Sequence, residues 1–240
     1  MKKTILAALL LIASLKAFCG VVNHDLMYQA YLNNDMSVWK TELKKYTTSS
    51  NLTITDKLEI SNYLYGYIAT LLVDADNNKQ EIIDWIELWE QYLNDIEKAT
   101  GKNAYVYVYR SSINAYKSKV KAGGMMVWGP RSLTELKRAL ATDPNNPLAN
   151  GLKGNMLFYM PGFVGGDKVE SIKWFEKALA GISASTDKTF RWNRCAITLC
   201  LAQAHEKTGN KQKAIDICTT FLQLEPNYTY MRDTYLPSLK

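Results

Sequence analysis

The sequence predicts an all-α solenoid of about five helix hairpins. Two segments carry helix-spaced apolar residues and end alike, "SLTELKRALATDPNN" in an Asp-Pro pair and "HEKTGNKQKAIDICTTFLQLEPN" in a Glu-Pro pair. Recurrence of one pattern at intervals of about 40 residues is typical of stacked helical repeats. Further upstream, "DKLEISNYLYGYIATLLVDADNNKQEIIDWIELWEQYLNDIEKATGK" contains a helix pattern, a polar turn and a second helix pattern. These observations favour helix packed on helix along the whole chain.

The amino terminus has the pattern of a secretory signal peptide. Lys2 and Lys3 precede an apolar stretch over residues 5–15, and a small-residue cleavage pattern follows. A membrane-spanning helix needs about 20 apolar residues, more than this stretch supplies. We therefore expect residues 1–19 to be removed, which leaves residues 20–240 as a single helical repeat domain.

Cys19 offers an alternative fate for the same segment. It could be the acylated cysteine of a bacterial lipoprotein, although Phe18 occupies a position where lipoprotein signals carry a small residue. Both fates place the protein outside the cytoplasm, in the periplasm or at the outer membrane of a Gram-negative-type bacterium. The only membrane contact that we expect is through this anchor.

The charge of the chain argues against a nucleic-acid partner. Its formal net charge is +6, and Lys2, Lys3 and Lys16 of the signal segment account for half of it. Nucleic-acid-binding domains usually combine a pI above about 9 with clustered basic residues. Without its signal the chain carries only +3, so we expect no nucleic-acid binding.

Three cysteines remain after the predicted cleavage. Cys195 and Cys200 lie five residues apart on one predicted helix and point to different faces, so they cannot bridge each other. Either one could pair with Cys218 on the next helix. The alternative is that all three are small buried apolar residues.

The first two hairpins are predicted from their turns and apolar spacing. Residues 25–46 form the first, with a turn at Asn34 and with Trp39 and Leu43 in its core. The second carries Gly66 at a position suited to close helix contact. The third begins with "AYVYVYR", which alternates like a strand but has no partner strand nearby, so we expect a helix there.

The last three hairpins share a small residue on each second helix. Ala139, Ala178 and Ala214 occupy this position, where two helices must touch and extra volume cannot be absorbed. The Gly/Pro-rich runs "AGGMMVWGP" and "MPGFVGGD" predict inserted loops at residues 122–130 and 160–167. Their apolar residues either fold back onto the helices or form one exposed contact patch.

The last hairpin resembles the tetratricopeptide repeat (TPR). From Gly209 the chain runs Gly-x4-Ala-x3-Cys and continues to Phe221 and Pro226, with Leu-Ala-x2-His upstream. The TPR family carries Leu-Gly-x2-Tyr on its first helix, then Ala-x3-Phe and a terminal Pro. The run "GGDKVESIKWFEKAL" is also distantly similar to the T components of tripartite (TRAP) transporters. The resemblance implies a binding scaffold whose first helices line a concave surface.

No catalytic or metal-binding constellation is evident. Asp74 begins an imitation of a calcium loop, but Lys79 stands where that loop requires Gly. The only histidines are His24 and His205, and the second takes the aromatic position of the repeat. They form no nucleophile-base or zinc pattern. We therefore predict no enzyme activity and no cofactor.

An excess of tyrosine marks the predicted concave surface. Tyrosine supplies rigid, amphipathic contact area with a hydroxyl for hydrogen bonding. With the apolar residues of the two inserted runs it defines the candidate binding residues, which are Tyr105, Tyr109, Tyr116, Met125, Met126, Trp128, Tyr159 and Phe163. We predict a non-catalytic scaffold that binds a protein or peptide. The alternative is a periplasmic carrier in which these residues enclose a small apolar ligand.

Overall fold

The computed structural model describes residues 21–240. Within this range helices are the only regular secondary structure, and no strand is present. The all-α prediction is confirmed. The predicted signal peptide and Cys19 lie outside the described residues.

Ten main helices form five consecutive hairpins, as the sequence predicts. The hairpins are α1 (His24–Leu32) with α2 (Met36–Thr47), α3 (Ile54–Leu71) with α4 (Lys79–Thr100), α5 (Ala104–Val120) with α6 (Gly124–Thr142), α7 (Pro147–Tyr159) with α8 (Lys168–Ser183), and α9 (Arg191–Lys207) with α10 (Lys211–Leu224). The two helices of each hairpin pack on each other, and each hairpin packs on the one that follows it along the chain. A π-helical turn, Tyr230–Tyr235, and the short α11, Leu236–Ser238, close the chain.

The strand-like stretch "AYVYVYR" is helical, as predicted. The Asn103 side chain caps α5 by accepting a hydrogen bond from the Val106 amide at 3.1 Å. Val106, Val108 and Tyr109 are all buried, because α5 packs against helices on several sides. A helix surrounded in this way needs apolar residues around most of its circumference. The alternation is therefore a by-product of burial.

Small residues mark the helix crossings. A Cβ atom added at Gly66 would lie 2.8 Å from the rings of both Trp39 and Trp192, and one at Gly154 would lie 2.6 Å from Phe175. Such separations are too short for a side chain, so only glycine allows these helices to approach. The repeat alanines Ala139, Ala178 and Ala214 are fully buried, as their position in the hairpins predicts.

The prediction of an inserted loop at residues 122–130 is wrong. Helix α6 begins at Gly124, so most of this run is helical. Residues 121–123 make the turn from α5, and the positive φ angles of Gly123 and of Gly124, the first residue of α6, allow the chain to reverse in so few residues. The Trp128 indole N–H donates to the Ala122 carbonyl at 3.0 Å and ties the first helical turns to that bend. The run at 160–167 is a loop, and it contains the short 3-10 turn Gly162–Val164.

The solenoid curves until its first and last hairpins touch, along a contact that we call the seam. Asp25 on α1 accepts a hydrogen bond from Arg191 on α9 at 2.6 Å. One turn further along, the Tyr28 hydroxyl lies 3.6 Å from the Cys195 thiol. Beyond α10, the Thr229 hydroxyl donates to the carbonyl at the end of α1 at 2.9 Å. Because of the seam, the stack of hairpins forms a closed bundle and not an open arc.

The described residues also bear on cysteine pairing and on membrane insertion. Cys195, Cys200 and Cys218 are free thiols. No helix between residues 21 and 240 is long and apolar enough to cross a lipid bilayer.

Candidate functional site

Closure at the seam leaves a cavity in the middle of the bundle. Its volume is about 490 Å³, within the usual size range of small-molecule sites. Four first helices of the hairpins, α1, α3, α7 and α9, supply most of its walls, and Met36 at the start of α2 and Val73 just after α3 add to them. The side chains that line it include Tyr31, Met36, Tyr65, Val73, Asn155, Trp192, Ala196 and Cys200.

Two glycines bring the walls close together. Gly66 on α3 lets the indole of Trp192 lie directly against the helix backbone. Gly151 on α7 does the same for Ile197 of α9, whose Cδ1 would lie 2.9 Å from an added Cβ. Both glycines line the cavity, so the same positions that allow close packing also shape the free space.

Aromatic rings form a connected group along one side of the cavity. The Trp192 ring lies 5.7 Å from that of Tyr31 and 5.9 Å from that of Tyr65, measured between centroids. Tyr116 stands behind Tyr65 with its ring nearly parallel at 6.3 Å, and its hydroxyl donates to the Tyr65 carbonyl at 2.9 Å. The side chains of Tyr31, Tyr65 and Trp192 therefore supply aromatic surface to the cavity wall.

The cavity is polar in places but carries no formal charge. The residues that line it, all within the described range, include no Asp, Glu, Lys, Arg or His. The indole nitrogen of Trp192 and the side-chain oxygen of Asn155 are buried without a hydrogen-bond partner. Both atoms have almost no accessible surface, so they are not open to a ligand in the cavity, and its polar character comes from the other lining side chains such as Asn34, Thr70 and Asn193.

Burial also keeps the three weakly acidic side chains of the wall protonated, and it raises the pKa of the Tyr31 phenol well above its usual value. It raises the pKa of the Tyr65 phenol to about 12 and that of the Cys200 thiol to about 12. Loss of hydration disfavours the charged form of each group. At neutral pH the cavity therefore presents two neutral phenols and a neutral thiol.

The predicted tyrosines of α5 lie behind this wall. Tyr109 is fully buried against Trp89, with ring centroids 5.5 Å apart. Tyr105 stacks on Phe190, and Tyr116 supports Tyr65 from the far side. None of the three lines the cavity.

The other predicted binding residues fall at two places. Met125 and Met126 are exposed at the start of α6, whereas Trp128 is half-buried beside the cations of Lys117 and Arg131, at 4.9 and 4.8 Å. Tyr159 ends α7, where it is mainly exposed and its ring meets that of Phe158 edge to face at 4.8 Å. Phe163 follows on an exposed turn. None of the eight candidates lines the cavity itself, although the Tyr116 hydroxyl donates to the backbone of the lining residue Tyr65.

Sequence reasoning missed Trp192, Asn155 and Ala196 as cavity residues. All three lie on first helices of repeats, with small neighbours one turn away. That spacing was a usable signal for α7 and α9. It could not indicate that α1 and α3 face the same space, because the seam joins residues far apart in sequence.

Comparison with known proteins identifies a shared fold and no family. No family model matches the chain, and no curated protein sequence is significantly similar to it. The fold is similar to that of the HusA haemophore from Porphyromonas gingivalis, with a TM-score of 0.58 and 18% sequence identity over 78% of this chain and 94% of that chain. At this identity the similarity shows a common helical architecture. That protein is, by its name, a binding protein.

Proposed function

We propose that this protein binds and carries a flat, largely apolar ring molecule of the haem class in its central cavity. The observation that supports the proposal most strongly is the cavity itself, which lies among the first helices of four hairpins and is lined in part by aromatic rings. The structural similarity to a haemophore is the reason for proposing haem as the class of ligand. The proposed role is non-catalytic binding.

A small ligand agrees with the geometry better than a peptide does. A peptide-binding solenoid presents its first helices as an open groove along the concave side. Here the seam brings α1 against α9, and the α5 tyrosines pack into the core. The space that remains is a cavity of about 490 Å³, which suits a compact ligand. The small-ligand alternative therefore replaces the protein or peptide partner as our proposal.

The cavity also contains side chains of the types that hold haem iron. Tyrosine, cysteine and methionine all serve as axial ligands in haem proteins, and Tyr65, Cys200 and Met36 line this cavity. Because Tyr65 and Cys200 are protonated at neutral pH, ligation by either one would release a proton. The carboxylates of a haem would find no cation in the wall, so they would face the solvent at the mouth.

Export and repeat class belong to the same proposal. A carrier of this kind acts outside the cytoplasm, in agreement with the signal-like residues 1–19 and the lipoprotein alternative at Cys19. The five hairpins with small residues at their crossings support the TPR-like interpretation of the sequence. Association with a transporter, which the TRAP-like run "GGDKVESIKWFEKAL" suggested, would deliver the cargo inward.

Titration with haemin tests the proposal. We expect saturable binding, seen as a shift of the haem absorbance band and as quenching of tryptophan fluorescence. Ala196 is half-buried in the cavity wall, so Ala196→Phe fills the free space and should raise the Kd at least tenfold. The control is Ala141→Phe on the exposed face of α6. Absence of haemin binding, or equal affinity in both variants, would overturn the proposal.

A further inference from the structure

The wall of the cavity continues to an exposed end on α7. Leu148, Leu152, Asn155 and Tyr159 are spaced four, three and four residues apart, so they form one stripe along the helix. The first three line the cavity, and Tyr159 continues their stripe one helical turn beyond Asn155. The Tyr159 side chain is nevertheless 66% exposed. It therefore stands at the outer end of the cavity-lining stripe, mainly in water.

The same arrangement recurs on α3. Gly66, Ala69 and Val73 follow one another at helical spacing, and all three line the cavity. Val73 lies in the 3-10 turn Leu72–Asp74 directly after the helix and is 90% exposed. Two walls of the cavity thus end in a large apolar side chain that the protein itself does not cover. We call Val73 and Tyr159 the rim.

A ligand contained wholly within the cavity would leave the rim in water. Exposed apolar groups gain free energy when they are covered, at about 25 cal/mol per Å². Exposed apolar groups adjoining a pocket often mark a contact site. Because the rim continues the lining of the cavity, the molecule placed to cover it is the ligand in that cavity.

We infer that the ligand is larger than the enclosed space and protrudes from the mouth, where Val73 and Tyr159 hold its outer part. This inference rests on the proposed function and defines its ligand more narrowly. The bound molecule is an extended ring system whose inner edge enters among Trp192, Tyr65 and Ala196. Its charged edge remains in solvent, because the wall offers no counter-charge.

A pair of double variants tests the rim. Val73→Ser with Tyr159→Ser removes both apolar contacts, and we expect the Kd for haemin to rise about tenfold. Met126→Ser with Val169→Ser is the matched control, since Met126 is 91% and Val169 62% exposed and neither lines the cavity. Both double variants should keep the circular dichroism and urea midpoint of the parent, because all four side chains are mainly exposed.

The outcomes separate the rim from the cavity when Ala196→Phe is measured in parallel. Loss of affinity in the rim variant but not in the control supports the inference. If the rim variant binds haemin as tightly as the control while Ala196→Phe loses binding, the cavity proposal stands and the rim inference is overturned. If the parent protein does not bind haemin, both fall together.

Discussion

At the scale of single residues, the chemistry of this protein is dominated by phenols and thiols removed from water. Burial raises the pKa of Tyr46 and Tyr65 from the usual 10 to about 12, and that of the Cys218 thiol from 9 to about 11. Several other tyrosines, among them Tyr63 and Tyr228, are shifted in the same direction for the same reason. These groups are neutral in the folded protein over the whole physiological range.

The shifted pKa values predict a loss of stability at alkaline pH. Below about pH 9 both the folded and the unfolded chain keep these protons, so they contribute no pH dependence. Between about pH 9 and 12 the unfolded chain releases protons that the folded chain retains. The free energy of unfolding therefore falls, by about 1.4 kcal/mol per group and pH unit above the unfolded pKa.

Urea unfolding at about pH 8 and pH 11 measures this effect. We expect a clearly lower midpoint at the higher pH. The tyrosinate absorbance of the folded protein should also appear at higher pH than that of the urea-unfolded chain. Coincident tyrosinate titrations of the two states would show that the phenols are open to water and would contradict the buried arrangement.

Glycines at helix crossings illustrate what single positions reveal in advance. Gly66 was recognisable as a close-packing site because it interrupts an otherwise bulky helix. Its two partners, Trp39 and Trp192, could not be paired with it from the sequence, since they lie on α2 and α9. Periodicity identifies the face of a helix that is buried, but it does not identify the residue that meets it.

At the scale of elements, the hairpins follow from local patterns and the turns do so only in part. All five helix pairs occur where apolar spacing predicts them, because each helix buries a stripe against its neighbour. The run "AGGMMVWGP" was misassigned as a loop. Its glycines need only one tight turn, and residues after that turn are free to begin α6.

The two apolar runs now predict different outcomes on mutation. Trp128 is half-buried, donates a hydrogen bond to Ala122 and lies beside two cations, whereas Phe163 is 90% exposed. Trp128→Ser should lower the free energy of unfolding by about 1 to 2 kcal/mol, since each cation–π contact contributes about 0.5 to 1. Phe163→Ser should change it by no more than about 0.5 kcal/mol.

Equilibrium urea denaturation of the two single variants tests this contrast. Each serves as the control for the other, because both replace an aromatic residue by serine in a glycine-rich run. Equal destabilisation would mean that the Phe163 turn folds onto the helices. No destabilisation by Trp128→Ser would mean that the start of α6 is not held in the manner described.

At the scale of the whole molecule, the proposed function depends on the contact between the first and last hairpins, because that contact leaves the cavity. In a helical repeat protein each unit contacts its neighbours, and the curvature accumulates from small rotations between units. Sequence patterns identify the repeated units, but they do not give the total curvature of the stack. The contact of Tyr28 with Cys195 joins residues 167 positions apart, which no repeat pattern predicts. The cavity, and with it most of the candidate site, was therefore beyond sequence reasoning.

The measurement that tests the central claim most directly is a crystal structure of the protein bound to haemin. We expect the haem ring to enter the cavity among Tyr65, Trp192 and Ala196, with α1 still packed on α9 along the seam. An open arc without the α1–α9 contact, or haemin bound on the outer helices with an empty centre, would contradict the account.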